Sequence, residues 1–276
     1  MTSSAKIIDG KVIAQKFKQE IRDKVKKMDK KPGLAAILVG DDKASHQYVK
    51  LKKKACNYTE INFHRYYFEG DCTEQEIIKA IEFLNKDKDI DGILVQLPLP
   101  EQYNEDNIIA AIKPKKDVDG FHPENIKKLR QGKPEIISPA ALGILELLKA
   151  TNQPLEDRNI LIVSNSRLFS EPLIYLLRKN NVKAIASSHK NLKKECQKAD
   201  VLIVAIGQAE FVEKDFIKKD ATVIDVGINQ LGDETVGDVN FFDVADKVSF
   251  ISPVPGGVGP MTVAMLLENV LRLHNK

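Results

Sequence analysis

Short apolar runs recur along this 276-residue chain, and several of them end in glycine. They cover 34–40, 91–97, 159–163, 199–207 and 221–227. Runs of this length without polar alternation are typical of strands that are buried on both faces of a parallel sheet. Segments with apolar residues at helical spacing separate them. This alternation predicts an α/β fold in which helices cover parallel sheets.

A segment rich in Pro, Gly and Asp over 114–123 divides the alternation into two halves. We predict two domains: an N-terminal α/β catalytic domain over 1–120 and a Rossmann-type domain over 121–259. We expect the last helix, within 260–276, to pack back on the first domain.

The remaining elements follow from periodicity and from start and stop signals. A Thr-Glu-Gln-Glu capping box at 73–76 opens one of the helices. Helices are predicted over 9–29, around Tyr48 and Lys52, and over 73–85, 104–112, 138–150, 171–179, 192–198 and 261–273, and two further strands over 61–68 and 182–187.

Composition excludes several classes of protein. Hydrophobic residues make up 43% and charged residues 29%, no run of eighteen apolar residues occurs, and the polar N-terminus lacks a signal-peptide core. We therefore expect a cytoplasmic protein without membrane association. A net charge of +3 without any Trp does not indicate nucleic acid binding. Three scattered cysteines, Cys56, Cys72 and Cys196, predict neither a disulfide framework nor a metal site.

The basic segment 45–56 holds the first candidate for chemistry. Tyr48 and Lys52 are four residues apart, so they project from one face of a helix. One interpretation is a solvated lysine face, which is typical of such runs. The other is a phenol and an amine directed into a cleft, where partial burial lowers the lysine pKa.

Two further polar residues fall near the carboxyl ends of predicted elements, where open α/β sheets bind ligands. Gln96 is one residue from the end of its predicted strand, and Asp119 follows the next helix. Alone, Gln96 could satisfy a buried backbone group and Asp119 could be a turn aspartate. With Tyr48 and Lys52, they suit a substrate that has an aminopyrimidine edge and a reacting carbon bound to nitrogen.

The segment 251–260, Ile-Ser-Pro-Val-Pro-Gly-Gly-Val-Gly-Pro, precedes the last predicted helix. Glycines allow backbone N–H groups to approach a ligand closely, and the N-terminus of a helix favours anions. The alternative is a tight loop with a purely structural role.

These residues lie in motifs that resemble the bifunctional methylenetetrahydrofolate dehydrogenase/methenyltetrahydrofolate cyclohydrolase family. The motifs are Ser-x-x-Tyr-Val-x-x-Lys-x-Lys at 45–54, Gly-Ile-Leu-Val-Gln-Leu-Pro-Leu-Pro at 92–100, Lys-Asp-Val-Asp-Gly-Phe-His-Pro at 116–123 and Pro-Val-Pro-Gly-Gly-Val-Gly-Pro-Met-Thr at 253–262. The resemblance implies a catalytic domain, an NADP- or NAD-binding domain with a cleft between them, and a homodimer. It also implies the oxidation of 5,10-methylenetetrahydrofolate and the hydrolysis of the methenyl product to 10-formyltetrahydrofolate, in one-carbon metabolism and purine biosynthesis.

The resemblance also implies roles for individual residues. Lys52 would be the catalytic lysine with Tyr48 as its partner, Gln96 would hydrogen-bond Lys52, and Asp119 would hold the pterin edge. The other residues implied for the substrate are Val95, Leu97, Pro255, Gly256 and Gly257. Those implied for the cofactor are Ser164, Asn165, Ser166, Ile228, Gly257, Val258, Gly259 and Thr262.

The segment 164–172 departs from the family pattern Gly-Arg-Ser-x-x-Val-Gly-x-Pro. Serines replace both glycines, Asn165 replaces the arginine expected at a 2′-phosphate, and Glu171 adds an anion near the predicted helix start, which disfavours pyrophosphate. Three hypotheses are consistent with this divergent segment. The protein is a bifunctional enzyme with an adapted cofactor loop, a cyclohydrolase with weak or lost dinucleotide binding, or a folate-binding paralogue without turnover.

Overall fold

The computed structural model describes residues 5–178, 181–186 and 190–276, and strands alternate with helices along it. The strands are β1 (Lys6–Ile7), β2 (Gly33–Val39), β3 (Asn62–Phe68), β4 (Gly92–Val95), β5 (Asn159–Ser164), β6 (Asn181–Ile185), β7 (Val201–Ala205), β8 (Thr222–Asp225), β9 (Asn229–Leu231), β10 (Glu234–Val236) and β11 (Phe250–Ile251). The predicted α/β class is confirmed.

The helices alternate with these strands along the chain. They are α1 (Gly10–Lys26), α2 (Lys43–Thr59), α3 (Glu74–Lys86), α4 (Glu105–Ala110), α5 (Pro123–Arg130), α6 (Pro139–Ala150), α7 (Arg167–Leu176), α8 (Leu192–Cys196), α9 (Phe241–Val244) and α10 (Val258–His274), with 3-10 turns at Pro114–Lys116 and Lys214–Phe216. No helix within the described ranges is both long and apolar enough to span a bilayer.

The backbone forms two units. The first unit comprises 15–139 and 263–276, and the second comprises 1–14 and 140–262. These bounds differ from the predicted division at 120/121, and α5 therefore belongs with the first unit. The residues that precede α1 belong with the second unit because β1 pairs with β11.

The first unit contains a parallel sheet of three strands in the order β3-β2-β4. Every residue of the central strand β2 is buried, as its continuous apolar sequence predicts. One layer of its core joins β2 to apolar residues of α1 and α10, including Ile21, Leu266 and Val270. The part of α10 from Val263 onwards therefore belongs to the first unit.

The second unit contains a parallel sheet of six strands in the order β1-β11-β8-β7-β5-β6. From β5 the chain proceeds to β6 on one side and then to β7 on the other. This reversal is the topological switch point at which Rossmann-type sheets bind dinucleotides. The short edge strand β1 and the β9–β10 hairpin were not predicted, because two- and three-residue strands carry too little periodicity.

Several predicted boundaries need correction. Strand β4 ends at Val95, so Gln96 follows the strand, although its N–H still bonds Ile37 O at 2.9 Å. Helix α5 was missed within a turn-rich region, where His122 Nδ1 caps it by accepting the Glu124 N–H. The predicted ends at 179 and 187 lie outside the described residues.

Candidate active site

Helix α2 positions the phenol and the amine. Asp42 begins this helix by accepting the Ser45 N–H at 2.7 Å. Ser45, Val49 and Cys56 are buried, and Tyr48 and Lys52 are partly buried on the neighbouring part of the helix surface. Lys52 is therefore not part of a solvated lysine face, which was one of the two interpretations of this segment.

Lys52 and Gln96 are in direct contact. Lys52 Nζ donates to Gln96 Oε1 at 2.7 Å, and Gln96 Nε2 donates to Leu97 O at 2.7 Å. Because Leu97 O can only accept, the amide nitrogen must face it and the amide oxygen must face the lysine. Gln96 is 7% exposed, so this orientation is held inside the protein. Val95 and Leu97 flank it.

The site shifts the protonation equilibria of its members. Burial lowers the pKa of Lys52, while Asp119 and Cys56 act in the opposite direction. Burial also raises the pKa of the Tyr48 phenol and raises that of Cys56 to about 12. The thiol beside Lys52 is thus neutral, whereas Lys52 loses its proton more readily than an ordinary lysine.

Asp119 carries the carboxyl group of the site. Burial raises its pKa to about 7, Lys52 lowers it, and Asp117 raises it further. This carboxyl group therefore changes charge near neutral pH. The four predicted catalytic residues all belong to the first unit: they are Tyr48, Lys52, Gln96 and Asp119.

Asp117 fixes the loop that carries Asp119, and sequence reasoning missed it. One carboxylate oxygen accepts the N–H groups of Asp119 at 3.1 Å and Gly120 at 3.0 Å. The other accepts His122 N–H at 2.8 Å and Asn125 Nδ2 at 2.9 Å. An aspartate that bonds the backbone two residues on is an Asx-turn, so Asp-Val-Asp-Gly did contain the signal.

Two polar groups of the site are free to meet a ligand. Within the described ranges, no hydrogen bond engages the Tyr48 hydroxyl or the Asp119 carboxylate. An ionised Asp119 can accept two N–H bonds from an aminopyrimidine edge. A half-buried amine that loses its proton readily can exchange protons with a reacting group beside it.

The last residue of β5 and the loop after it hold three of the cofactor candidates, Ser164, Asn165 and Ser166. Ser164 Oγ accepts the Ser166 N–H at 3.0 Å, and Ser166 caps α7 by accepting the Phe169 N–H at 3.3 Å. Helix α7 therefore begins at Arg167, four residues before the predicted start at 171. Glu171 lies in the second turn, and the exposed Arg167 occupies the first. Glu171 therefore lies one turn beyond the helix start near which it was expected, and the effect of a helix terminus on charge falls off within the first turn.

The remaining cofactor candidates lie in the second unit. Ile228 follows β8 and is exposed, Gly257 and Val258 are buried at the start of α10, and Thr262 Oγ1 donates back to Val258 O at 3.1 Å. Among the described residues, no atom outside the immediate chain neighbours lies within 4 Å of the position that a Cβ would take on Gly259, and the same holds for Gly207 after β7. These open backbone positions fit the close approach of a dinucleotide. Pro255, Gly256 and Gly257, predicted for the substrate, also belong to this unit.

The described residues contain no cluster of three or more His, Cys, Asp or Glu side chains that could hold a metal ion. The sheet order, the switch point and the open glycines define the second unit as a dinucleotide-binding domain of the Rossmann type. The first unit holds the partly buried contact between the Lys52 amine and the Gln96 amide.

Two family models match the chain. The catalytic-domain model of the tetrahydrofolate dehydrogenase/cyclohydrolase family matches residues 8–119, and the NAD(P)-binding-domain model of the same family matches 138–276. The chain belongs to the tetrahydrofolate dehydrogenase/cyclohydrolase family.

Individual relatives agree with this assignment over the full length. The bifunctional protein FolD of Agathobacter rectalis is 45% identical over 271 residues, which is 96% of this chain and 97% of that protein. The crystal structure of the bifunctional enzyme FolD from Campylobacter jejuni is 39% identical with a TM-score of 0.94, covering 99% of both chains. A Trypanosoma brucei FolD structure in complex with NADP and an inhibitor is 29% identical with a TM-score of 0.95, covering 99% of this chain and 98% of that one.

Proposed function

We propose that this protein oxidises 5,10-methylenetetrahydrofolate with NADP and hydrolyses the methenyl product to 10-formyltetrahydrofolate, with Lys52 as the catalytic group for hydrolysis. The observation that carries the proposal is the 2.7 Å bond from Lys52 to Gln96 in a setting that lowers the lysine pKa. Both family models support the pair of activities.

The lowered pKa of Lys52 suits the charge of the substrate. The methenyl form is a cation, and a permanently charged ammonium beside it would be repelled. An amine that gives up its proton can take a proton from the attacking water or from the opening ring. Gln96 holds the amine in place through an acceptor that is itself fixed by Leu97.

Asp119 and Tyr48 provide the binding contacts in this proposal. The Asp119 carboxylate accepts N–H bonds from the pterin edge when it is ionised, and the Tyr48 ring lines the site beside the amine. Val95 and Leu97, the apolar residues on either side of Gln96 in the sequence, are also proposed to contact the substrate. Pro255, Gly256 and Gly257 are proposed to contact the substrate from the loop that precedes α10.

NADP, when bound, accepts hydride from the folate methylene carbon. The residues proposed to hold it are Ser164, Asn165, Ser166, Ile228, Gly257, Val258, Gly259 and Thr262. Arg167 adds positive charge to the first turn of α7, where anions are favoured. This start of the helix supports a bifunctional enzyme over a cyclohydrolase without dinucleotide binding.

Asn165 offers a test of how the cofactor loop is adapted. It stands where the family resemblance implies an arginine for the 2′-phosphate. We expect Asn165→Arg to tighten NADP binding by about 1 kcal/mol, roughly fivefold, and to leave NAD binding unchanged. Fluorescence titration of both nucleotides measures this. An equal change for NADP and NAD would contradict the assignment of Asn165 to the 2′-phosphate.

Two further proposals concern assembly and location. We propose a homodimer, which the family resemblance supports, and a cytoplasmic location, as expected from the composition of the sequence. Light scattering coupled to size-exclusion chromatography tests the first, because a mass near 31 kDa would mean a monomer and a mass near 62 kDa a dimer.

The two activities are tested separately. NADPH formation with 5,10-methylenetetrahydrofolate measures the dehydrogenase, and loss of the near-UV absorbance of the methenyl form measures the cyclohydrolase. Both should proceed above the rates in buffer. Hydrolysis without any NADP or NAD reduction would leave the cyclohydrolase alone, and binding of the folate without either reaction would indicate a non-catalytic paralogue.

A further inference from the structure

Two buried carboxyl groups in the second unit have no part in the chemistry described above. Asp225 is the last residue of β8 and is 3% exposed, and Asp238 follows β10 and is 0% exposed. In the part of the chain that the structure describes, neither forms an ion pair with Lys, Arg or His. Buried charges without a cation are costly, so their contacts require an explanation.

Asp238 holds the loop that follows β7. Its Oδ2 accepts the N–H groups of Ile206 at 2.6 Å and Gly207 at 3.1 Å. Its Oδ1 accepts the N–H of Gln208 at 2.9 Å and Asn229 Nδ2 at 2.9 Å. One side chain thus fixes three consecutive amides after β7 and a residue in the segment after β8.

Asp225 holds Asp238 in turn. Its Oδ1 accepts the N–H groups of Gly227 at 2.9 Å and Asp238 at 3.0 Å, and its Oδ2 accepts Val239 N–H at 2.9 Å. The Asp225 N–H donates to Ser252 Oγ at 2.8 Å, at the start of the loop after β11. The network therefore connects the loops that follow three adjacent strands, β7, β8 and β11.

Two glycines make room for these carboxylates. A Cβ on Gly237 would lie 1.8 Å from Asp225 Oδ2, and a Cβ on Gly227 would lie 2.3 Å from Asp238 Oδ1. Neither position can accept a side chain without displacing a carboxylate. Burial, with Asp238 as a further contribution, raises the pKa of Asp225 to about 7, while the N–H groups around it act in the opposite direction.

We propose that Asp225 and Asp238 are positioning residues for the dinucleotide, which hold the loops after β7, β8 and β11 in the conformation that receives it. These loops leave the carboxyl ends of strands on one side of the switch point, the edge where a Rossmann-type sheet binds dinucleotides. Gly207, whose amide Asp238 accepts, is one of the open backbone positions at this edge. The inference rests on the proposed use of NADP.

An Asp238→Asn variant tests this role. An amide has one acceptor oxygen, so in either orientation its NH₂ group faces two of the four donors that Asp238 now accepts. We expect the Kd for NADP to rise on the order of tenfold or more. Hydrolysis of methenyltetrahydrofolate without dinucleotide should stay within about twofold of the parent rate, because Lys52 lies in the first unit and Asp238 itself accepts no bond from the loop after β11 that carries Pro255–Gly257. That loop is joined to the network through the Asp225 N–H and Ser252 Oγ, a bond that the substitution leaves in place.

Asp225→Asn provides a graded comparison. With its NH₂ at the Oδ2 position, the amide faces only the Val239 N–H. We therefore expect a smaller rise in Kd, on the order of threefold. If Asp238→Asn does not fold, the Kd of Asp225→Asn for NADP tests the positioning role instead.

Asp200→Asn is the matched control. Asp200 precedes β7 and accepts the Asn159 N–H at 2.9 Å, so it lies at the amino edge of the same sheet. The same substitution there should leave the Kd for NADP unchanged.

The outcomes separate this inference from the proposed function. A parent protein that binds NADP together with variants of unchanged Kd overturns the positioning role alone. Loss of hydrolysis in parallel with loss of binding also overturns it, because the role would then be general stability. A parent protein that binds neither NADP nor NAD overturns both the inference and the proposed dehydrogenase.

Discussion

The reactivity proposed for Lys52 depends on the neutral side chain that accepts its hydrogen bond. Gln96 Oε1 accepts from the amine at 2.7 Å, and a neutral acceptor stabilises the ammonium less than a carboxylate would. Burial therefore lowers the lysine pKa although Asp119 and Cys56 act in the opposite direction, because neither of them is hydrogen-bonded to the amine. The amide at position 96 is what keeps the amine both fixed and able to lose its proton.

Replacement of Gln96 by glutamate tests this reasoning. A carboxylate at this distance should raise the pKa of Lys52 and shift the cyclohydrolase pH–rate profile to higher pH. At neutral pH the rate should fall about tenfold or more. The control is Gln96→Met, which also loses the bond to Leu97 O but adds no charge. A profile that moves equally in both variants would contradict the electrostatic role.

Asp119 predicts a pH dependence of substrate binding. Its pKa of about 7 means that the carboxylate is lost as pH falls through 7, so the KM for the folate should rise below that pH. Asp119→Asn should raise KM about tenfold at pH 8 and remove this dependence. Steady-state hydrolysis at several pH values measures both. A parent KM that stays constant from pH 6 to 8 would show that Asp119 does not hold the pterin edge.

The same pKa has a consequence for folding. Asp119 titrates near 7 in the folded protein but at its ordinary value of 3.8 in the unfolded chain. Its contribution to stability is therefore largest below the unfolded pKa and is lost as pH rises through about 7. Binding and stability thus respond to this group in opposite directions, which is common for residues in functional sites.

At the scale of elements, α10 supports the loop that carries Asp119. Asn269 on this helix is 1% exposed and donates to Val118 O at 2.8 Å and to Ile137 O at 3.0 Å. Both carbonyl groups would lose their partner if the amide were removed. A residue near the C-terminus of the chain thus fixes a loop about 150 positions earlier.

Asn269→Leu should destabilise the protein by about 2–4 kcal/mol, because two buried carbonyl oxygens are left unsatisfied in a space of similar volume. Urea unfolding measures the free energy. The neighbouring Glu268→Gln is the control, since the Glu268 side chain is 39% exposed and its 3.6 Å contact with Lys24 is worth little. Equal stability of the two variants would contradict the role of Asn269.

The sequence predicted the long elements well and the short ones poorly. The buried run 34–40 and the capping box at Thr73 each contain a strong local signal. The strand β2 and the helix α3 that they predicted both exist, with bounds that differ from the prediction by about one residue. Strand β1 and helix α5 were missed, because β1 exists through pairing with β11 and α5 lies in a segment of turn residues. The start of α7 was placed too late because Ser166 was interpreted as part of a loop rather than as a cap.

At the scale of the whole molecule, candidate residues were easier to predict than their supports. Tyr48 and Lys52 share one helix, so their spacing alone brought them together. The contact of Lys52 with Gln96 spans 44 positions and came from the family resemblance. The buried aspartates Asp117, Asp225 and Asp238 were missed, because their roles depend on backbone N–H groups that converge only in the folded chain.

The residues proposed for hydrolysis and the loops proposed for the dinucleotide lie largely in different units. The amine, the amide and Asp119 lie in the first unit, and the loops proposed for the dinucleotide lie in the second. A variant at Lys52 should therefore affect hydrolysis and leave NADP binding intact.

The most direct test is hydrolysis of methenyltetrahydrofolate by the Lys52→Met variant, followed by the loss of its near-UV absorbance. Methionine is similar in length to lysine but has no amine, so we predict that the rate falls at least 100-fold while the Kd for NADP stays within about twofold of the parent. A Lys52→Met variant that hydrolyses the substrate as fast as the parent protein would contradict the account.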